Sequence, residues 1–439
     1  MKKSSFLGAL LALILFPLGG FSSSIPQVLA HEDPVITMTT SKQVGEKITL
    51  VIRGKAPIRI DGVKEEPVFG KYKQYTLTQT SISIHGEVTE LYCYPDSLTS
   101  LDVSKNTELT KLDCYSNSLT SLDISKNTKL AELDCSSNSL TSLDISKNTK
   151  LATLDCSSNS LTNLDVSKNT ELTRLSCHSN FLTSLDVSKN TELTGLSCHF
   201  NSLTSLDISK NTELESLFCL SNQLMSLDVS KNTELTILDC SSNFLTSLDV
   251  SRNTKLTTLS CQANSLTSLD VSRNTELMWL SCQSNSLTSL DVSKNARLAE
   301  LDCSSNSLTS LDVSKNARLS ELDCSSNSLT SLDVSKNAEL AELRCSSNSL
   351  TSLDVSKNTK LTWLCCHSNQ IRGKAMSQLV VGLANREDKK NAGLLIVIDS
   401  QDFNEQNHYP KSDIATIKAK NWVVYDYNGG SNNRILLSL

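Results

Sequence analysis

Apolar residues recur along most of this chain at one fixed spacing. From Val88 to Ile371 the frame L-x-x-L-x-C-x-x-N-x-L-x-x-L-D-V-S-K-N-T-x repeats every 21 residues without insertion or deletion, and Cys marks it at 93, 114, 135 and onward to 366. Internal repetition of this kind decides the architecture before any other feature. In one copy, Leu133 and Cys135 alternate with polar neighbours, the pattern of a short strand with one buried face. Twenty-one residues cannot enclose a core alone, so the fourteen copies are expected to stack as coils, each covering the apolar face of the next. At about 4.8 Å per strand, the resulting parallel sheet runs on the order of 65 Å. Leu140, Leu143 and Ile145, with their equivalents in the other copies, then fill the interior from the opposite, convex side.

Outside residues 88–371 the period disappears. Residues 1–30 carry Lys2 and Lys3, an apolar run from Phe6 to Leu18, and Val28-Leu29-Ala30, which read as a secretory signal with cleavage before His31. Residues 31–87 hold alternating runs (ITMTT, KITLVIRG, PIRIDG, YTLTQ, SISIHG) that predict short strands capping the open first coil. An independent binding module is the alternative reading of that segment. In residues 372–439 the spacing predicts helices over 374–385 and 412–421, the second with Ser412 as N-cap, and strands over 394–399 and 422–427, together an α/β cap. No other run is long and apolar enough to be expected to cross a bilayer.

Several columns of the repeat have a structural reading. Asn at 117, 138, 159 and every 21 residues to 369, replaced by Asp96 in the first copy, suits a buried amide that satisfies backbone groups where the strand turns away. The S-K-N-T segment supplies turn formers, and the Asp before each Val or Ile points outward or caps a turn. A calcium site there lacks the clustered oxygen ligands a hard cation needs. Fourteen of the fifteen Cys form one column, with Cys365 beside the last. Stacked residues keep parallel Cβ vectors about 4.8 Å apart, unlike the converging pair a disulfide requires, so the column reads as inert buried thiols.

The L-x-x-L-x-C-x-x-N frame with its T-S-L-D-V-S-K-N-T continuation resembles the cysteine-ladder class of leucine-rich-repeat proteins, the internalin-J-like type found among bacterial surface and secreted proteins, including those of the Bacteroidetes type. The resemblance covers residues 88–371 and implies a leucine-rich-repeat solenoid with a parallel sheet on its concave face. It also implies roles in adhesion, self-association or biofilm formation, without naming a ligand. No wall-sorting motif or mucin-binding repeat is recognisable.

Comparing the copies locates the variation. Convex positions barely change, whereas positions flanking the second Leu and the Cys do, and these face outward from the strands. Before the second Leu the series runs Glu90, Lys111, Glu132, Thr153, Arg174, Gly195, Ser216, Ile237, Thr258, Trp279, Glu300, Glu321, Glu342, Trp363. After it, Asp gives way in the middle to Ser176, Ser197 and Phe218; past the Cys, Ser gives way to His178, His199, Leu220, Gln262 and Gln283. Acidic margins thus flank a less charged centre in copies five to ten, with Arg174, His178, His199, Phe200, Phe218, Leu220, Ile237, Gln262, Trp279 and Gln283 as candidate partner-binding residues. Clustered outward apolar residues mark a recognition patch more often than repeat drift does. His178 and His199 stand one coil apart but have no third ligand for a metal.

Net charge is −6 with no basic patch, which excludes the electrostatic footprint of nucleic-acid and anionic-membrane binding. No nucleophile elbow or H-E-x-x-H motif is present, and the nearest catalytic pair, Cys365 with His367, is expected on outward strand positions. The sequence therefore predicts a non-enzymatic, cofactor-free, exported protein that binds a protein or cell-surface partner through its concave face. Carbohydrate recognition through Trp279, Phe218 and Trp363 is one alternative; a ligand-free structural spacer is another.

Overall fold

The structure, a computed structural model, describes residues 34–408, 411–430 and 434–437. The segment read as a secretory signal lies outside the described residues. All five strands expected before the repeats are present: β1 (Val35–Thr40), β2 (Lys47–Gly54), β3 (Arg59–Asp61), β4 (Lys73–Thr76) and β5 (Ser81–His85). The first coil contributes β6 (Val88–Cys93) and β7 (Leu98–Asp102). From β8 (Lys111–Asp113) to β20 (Trp363–Cys365), each later copy contributes one three-residue strand. Neighbours pair in parallel with Leu opposite Leu, as Leu154 faces Leu133 on one side and Leu175 on the other. Fourteen such strands, counting β6, are thus joined by thirteen turns of coil among the described residues.

The long sheet is open. At one end β2 pairs antiparallel with β6 and β4 pairs with β2. At the other, β20 continues into β21 (Gly393–Ile398) and β22 (Trp422–Asp426) in parallel, and β23 (Ile435–Leu436) closes the row antiparallel. A second sheet, in the order β3, β5, β1, β7, covers the first coil. Here β7 is the convex L-T-S-L-D segment of copy one, which becomes a strand because β1 lies beside it; in later copies the same segment has no such partner.

Side-chain burial follows the frame. Leu130, Leu133, Cys135, Leu140 and Ile145 are almost wholly enclosed, and the pattern repeats through the array. All fifteen cysteines are buried free thiols. Some ladder thiols also donate weakly to the next coil, as Cys240 does to the Ser260 carbonyl at 3.5 Å. Burial pushes the Cys240 and Cys198 thiols up to about 12, which leaves them protonated and unreactive.

Two amide ladders knit the coils. Asn138 donates through Nδ2 to the carbonyls of Cys114 (3.0 Å), Cys135 (3.1 Å) and Ser136 (3.1 Å), and its Oδ1 accepts from Leu119 N–H at 3.0 Å. One side chain thus serves two coils. The Asn of S-K-N-T, expected only as a turn former, forms the second ladder: Asn127 is fully buried and donates to Val103 O (3.0 Å) and Asn106 O (2.9 Å) of the preceding coil. Its Oδ1 meets no donor, and the same holds in each later copy through Asn358; the structure offers no compensating contact. The convex Asp does cap its turn, Asp123 Oδ1 accepting from Ser125 N–H at 2.9 Å.

Two residues past each ladder Cys the backbone turns left-handed, from Ser116 (φ 54°) to Ser368 (φ 54°). Copy one has Pro95 there, whose ring forbids a positive φ, and the left-handed residue moves to Ser97.

The two ends stop the first amide ladder differently. Asp96 takes the Asn position in the first coil, where no earlier coil supplies carbonyls; its carboxylate instead accepts from Thr49 N–H (2.6 Å) and the Lys42 ammonium (2.8 Å). An acceptor-only group is what that neighbourhood needs. At the far end Asn407, outside the repeat frame, donates to Cys366 O (2.7 Å) and Val397 O (2.8 Å) and accepts from Ile371 N–H (2.7 Å). It reproduces the ladder contacts one coil beyond the repeats.

In the C-terminal cap, α1 (Lys374–Gly382) adds Met376, Leu379 and Val380 to the core that continues from the repeats, and ends three residues before its expected limit. Helix α2 (Lys411–Ala419) packs on α1 and buries Ile414 and Ile417. Ser412 is not its N-cap, because the helix already begins at Lys411. Trp422 anchors the cap, its Nε1 donating to Ala384 O at 2.8 Å.

Candidate binding face

The strand geometry sets three outward columns on the concave face. In the fifth copy Arg174 and Ser176 point out while Leu175 points in, and His178 follows beyond inward Cys177. Because strands pair in register, equivalent residues of successive copies stand side by side: Arg174 beside Gly195, Ser197 beside Phe218, Ser216 beside Ile237. The candidate residues are therefore brought onto one surface, with one exception.

That exception is Phe200. It occupies the left-handed turn position (φ 51°) and is 53% exposed at the lateral edge, not on a strand. Phe218, Leu220, Ile237 and Trp279 lie on the face, but they are half-buried rather than exposed, because neighbours one strand away cover their sides. The more exposed apolar residues of these coils sit off the strands: Phe181, Met225 and Phe244 on the flank beyond the ladder Asn, and Met278 beside Trp279. Sequence reasoning missed the flank, although comparing copies at the position after the ladder Asn shows it, where the usual Ser becomes Phe181, Gln223 and Phe244. A row of Tyr72, Tyr94 and Tyr115, with ring centroids 5.2 and 6.5 Å apart, extends the aromatic surface where the N-terminal sheet meets the first coils.

The central polar groups also interact along the column. His178 and His199 stack with centroids 4.1 Å apart and planes 13° from parallel, and Phe200 meets His199 edge-on at 5.3 Å. Burial, reinforced by the neighbouring His178, brings His199 down to about 4, so it is neutral near pH 7. Its Nδ1 is buried without a hydrogen-bond partner. Gln283 Nε2 donates to Gln262 Oε1 at 2.6 Å, and Ser281 Oγ donates to the same oxygen at 2.9 Å.

The margins carry crowded carboxylates. Burial and the adjacent Asp134 raise Asp113 to about 6, the nearby Lys111 and the Tyr115 N–H opposing the shift. Glu300, Glu321 and Glu342 stand opposite one another on successive strands, and burial together with the two neighbours raises Glu321. Among the described residues no three His, Cys, Asp or Glu side chains gather as a metal-binding group.

Between Arg174 and Ser216 the face is notched. Gly195 leaves a depression of about 370 Å³ lined by Thr153, Asp155, Ser176, Ser197 and Glu215 among others. At the C-terminal end, Cys365 and His367 are covered rather than presented to solvent: Cys365 is buried with its thiol pushed up to about 12, and His367 stacks on Tyr427 at 4.4 Å. Such a thiol is no nucleophile at neutral pH.

No known family description matches the chain, and no curated protein matches it. Among solved structures it is similar to the functional domain of InlJ from Listeria monocytogenes, which includes a cysteine ladder: 39% identity over 71% of this chain and 74% of that one, with a TM-score of 0.62. A leucine-rich-repeat protein of Leptospira interrogans is 26% identical over 64% of this chain and 84% of its own, with a TM-score of 0.55. An internalin, InlF, from Listeria monocytogenes shares the fold at 21% identity over 73% and 88% of the two chains, with a TM-score of 0.58. By its 21-residue coils, its column of buried cysteines and its likeness to InlJ, the chain belongs to the InlJ-like cysteine-ladder leucine-rich-repeat proteins.

Proposed function

We propose that this chain is an exported, non-catalytic binding protein that recognises a protein partner on a cell surface or matrix through the central concave face, in an adhesion-type role. The observation that carries this reading is the distribution of differences between copies. Convex residues repeat almost unchanged through fourteen coils, while the outward strand positions of copies five to ten lose their acidic residues, Asp239 excepted, and gain Phe218, Leu220, Ile237 and Trp279. The face is rigid, so presenting these side chains costs little ordering on binding. Half-burial suits anchors of this kind, since each is held by its column neighbours and needs only one side covered by a partner. Several solved leucine-rich-repeat neighbours are complexes, among them a plant receptor ectodomain with CASPARIAN STRIP INTEGRITY FACTOR 2, which shows the fold serving protein recognition elsewhere.

The test compares the chain from His31 onward with a Phe218→Ala, Ile237→Ala, Trp279→Ala variant on whole cells and immobilised matrix proteins, circular dichroism being unchanged. Loss of binding in the variant supports the reading. Equal binding moves the site to a flanking region, and absence of binding by both favours a spacer.

A further inference from the structure

We propose that the depression at Gly195 receives a single carboxylate, an Asp or Glu side chain of the protein partner, through Arg174. This deepens the concave-face reading and rests on it.

Two other cations of the face are already engaged. Lys111 pairs with Glu132, and Arg344 pairs with Glu342 at 2.9 Å while lying over the Trp363 ring. The Arg174 side chain is exposed and its guanidinium makes no hydrogen bond or ion pair among the described residues, whereas its backbone N–H donates to Ala152 O at 3.2 Å. A solvated guanidinium alone is ordinary. Here it borders a cavity whose size falls at the lower end for small-molecule and side-chain pockets.

Glycine is not needed at 195 for the fold. A Cβ there would sit in ordinary contact, 3.4 Å from Ser216 Oγ and 3.9 Å from Arg174 Cγ. It is also the only Gly in its column. What glycine supplies is space beside the guanidinium, and the residues around that space are short: Thr153, Ser176, Ser197 and Ser216, each carrying a hydroxyl that can donate.

The rim charge selects the ligand. Asp155 and Glu215 also line the depression, so one cation faces two carboxylates. Asp155 is itself turned to Ser157, its Oδ1 accepting from that residue's N–H and hydroxyl. A phosphate dianion meets about twice the rim repulsion of a monoanion, and a planar carboxylate can offset its share by taking the guanidinium fork in two parallel hydrogen bonds and the serine hydroxyls at its edge. Phe218 and Ile237, one and two coils on, then cover apolar groups next to that acidic residue in the partner.

The experiment follows the Arg Nε–Hε resonances of the whole chain at pH 6 and low salt, Arg174 being identified by its absence in R174K. Three probes are titrated: N-acetyl-Gly-Glu-Gly-amide, its Gln counterpart and inorganic phosphate. The expected result is a saturable shift of Arg174 with the Glu peptide, at concentrations about tenfold or more below any response to the Gln peptide. Gly195→Leu, with circular dichroism unchanged, is expected to abolish it by filling the depression while leaving Arg174 in place. An equal response to the Gln peptide or phosphate, no response at all, or a response unaltered in G195L overturns the assignment. Such a failure leaves the concave-face reading intact, because the triple Ala variant that decides it retains Arg174 and Gly195.

Discussion

The convex and concave sides of each coil are built from the same 21 residues, yet they obey different constraints. On the convex side the repeated side chains that face inward or cap the turns are fixed by the coil: Asn127 reaches back to Val103 and Asn106, Asp123 closes its own turn, and Ile124 fills the interior. A change there is felt by the neighbouring coil. On the concave side Arg174, Gly195 and Ser216 succeed one another without altering the strand register at all. The difference teaches that the coil separates assembly from surface, so variation can accumulate where a side chain faces outward and not where it meets the next coil.

The sharpest way to break this comparison is to damage one rung. Asn232→Ala removes donors from Ile208 O and Asn211 O inside the array. It is expected to cost about 3 kcal/mol, since buried carbonyls are left unpaired and a small cavity opens. Thermal or urea unfolding measures it, and a cost below about 1 kcal/mol would mean that the ladder is passive.

A smaller effect is expected at the cysteines. Cys240→Ala deletes one fully buried sulfur atom and is expected to cost about 1 to 2 kcal/mol, with no difference between reducing and oxidising buffer. A dependence on reductant would contradict a column of free thiols.

The concave side yields its effects through pH. Asp113 is raised to about 6 in the folded chain, so its folded state holds the proton more tightly than the unfolded one. Its stabilising contribution is present below the unfolded value of about 4 and is lost as pH rises through about 6. Asp113→Asn should therefore be more stable than the parent by about 1 kcal/mol at pH 7, discounted for partial exposure, and no more stable at pH 4. His199 has the opposite sign. Its folded value is about 4 against about 6.5 unfolded, so stability associated with it is present above 6.5 and is lost as pH falls toward 4. His199→Gln should flatten that decline by about 1 kcal/mol or less, given its partial exposure. Unfolding midpoints at pH 4, 5.5 and 7 separate the two variants.

Much of this architecture was legible because the period is strict. Leu, Cys and Asn at fixed offsets specify the inward strand face and the first amide ladder, and the N-terminal alternating runs specify their strands. What escaped was non-local. Asn127 and its equivalents sit in a polar S-K-N-T string that reads as a turn, and only the preceding coil reveals that they are buried. Asn407 continues the ladder from 38 residues past Asn369, outside any frame. The segment of β7 becomes a strand only because β1 lies beside it. At the candidate site the columns could be read from the repeat, but not how far Phe218, Leu220, Ile237 and Trp279 would be covered by neighbours, nor that Phe200 falls on a turn. The Gly195 depression likewise required the side chains around it.

The central claim is that recognition belongs to the concave face alone. The most direct measurement places two matched variants in one cell- and matrix-binding assay: the concave Phe218, Ile237, Trp279 triple Ala, and a convex Lys210, Lys231, Arg252 triple Ala drawn from three neighbouring coils. The account predicts that the concave variant loses binding while the convex variant binds like the parent, both with parental circular dichroism. Loss in the convex variant, or undiminished binding by the concave one, would contradict it.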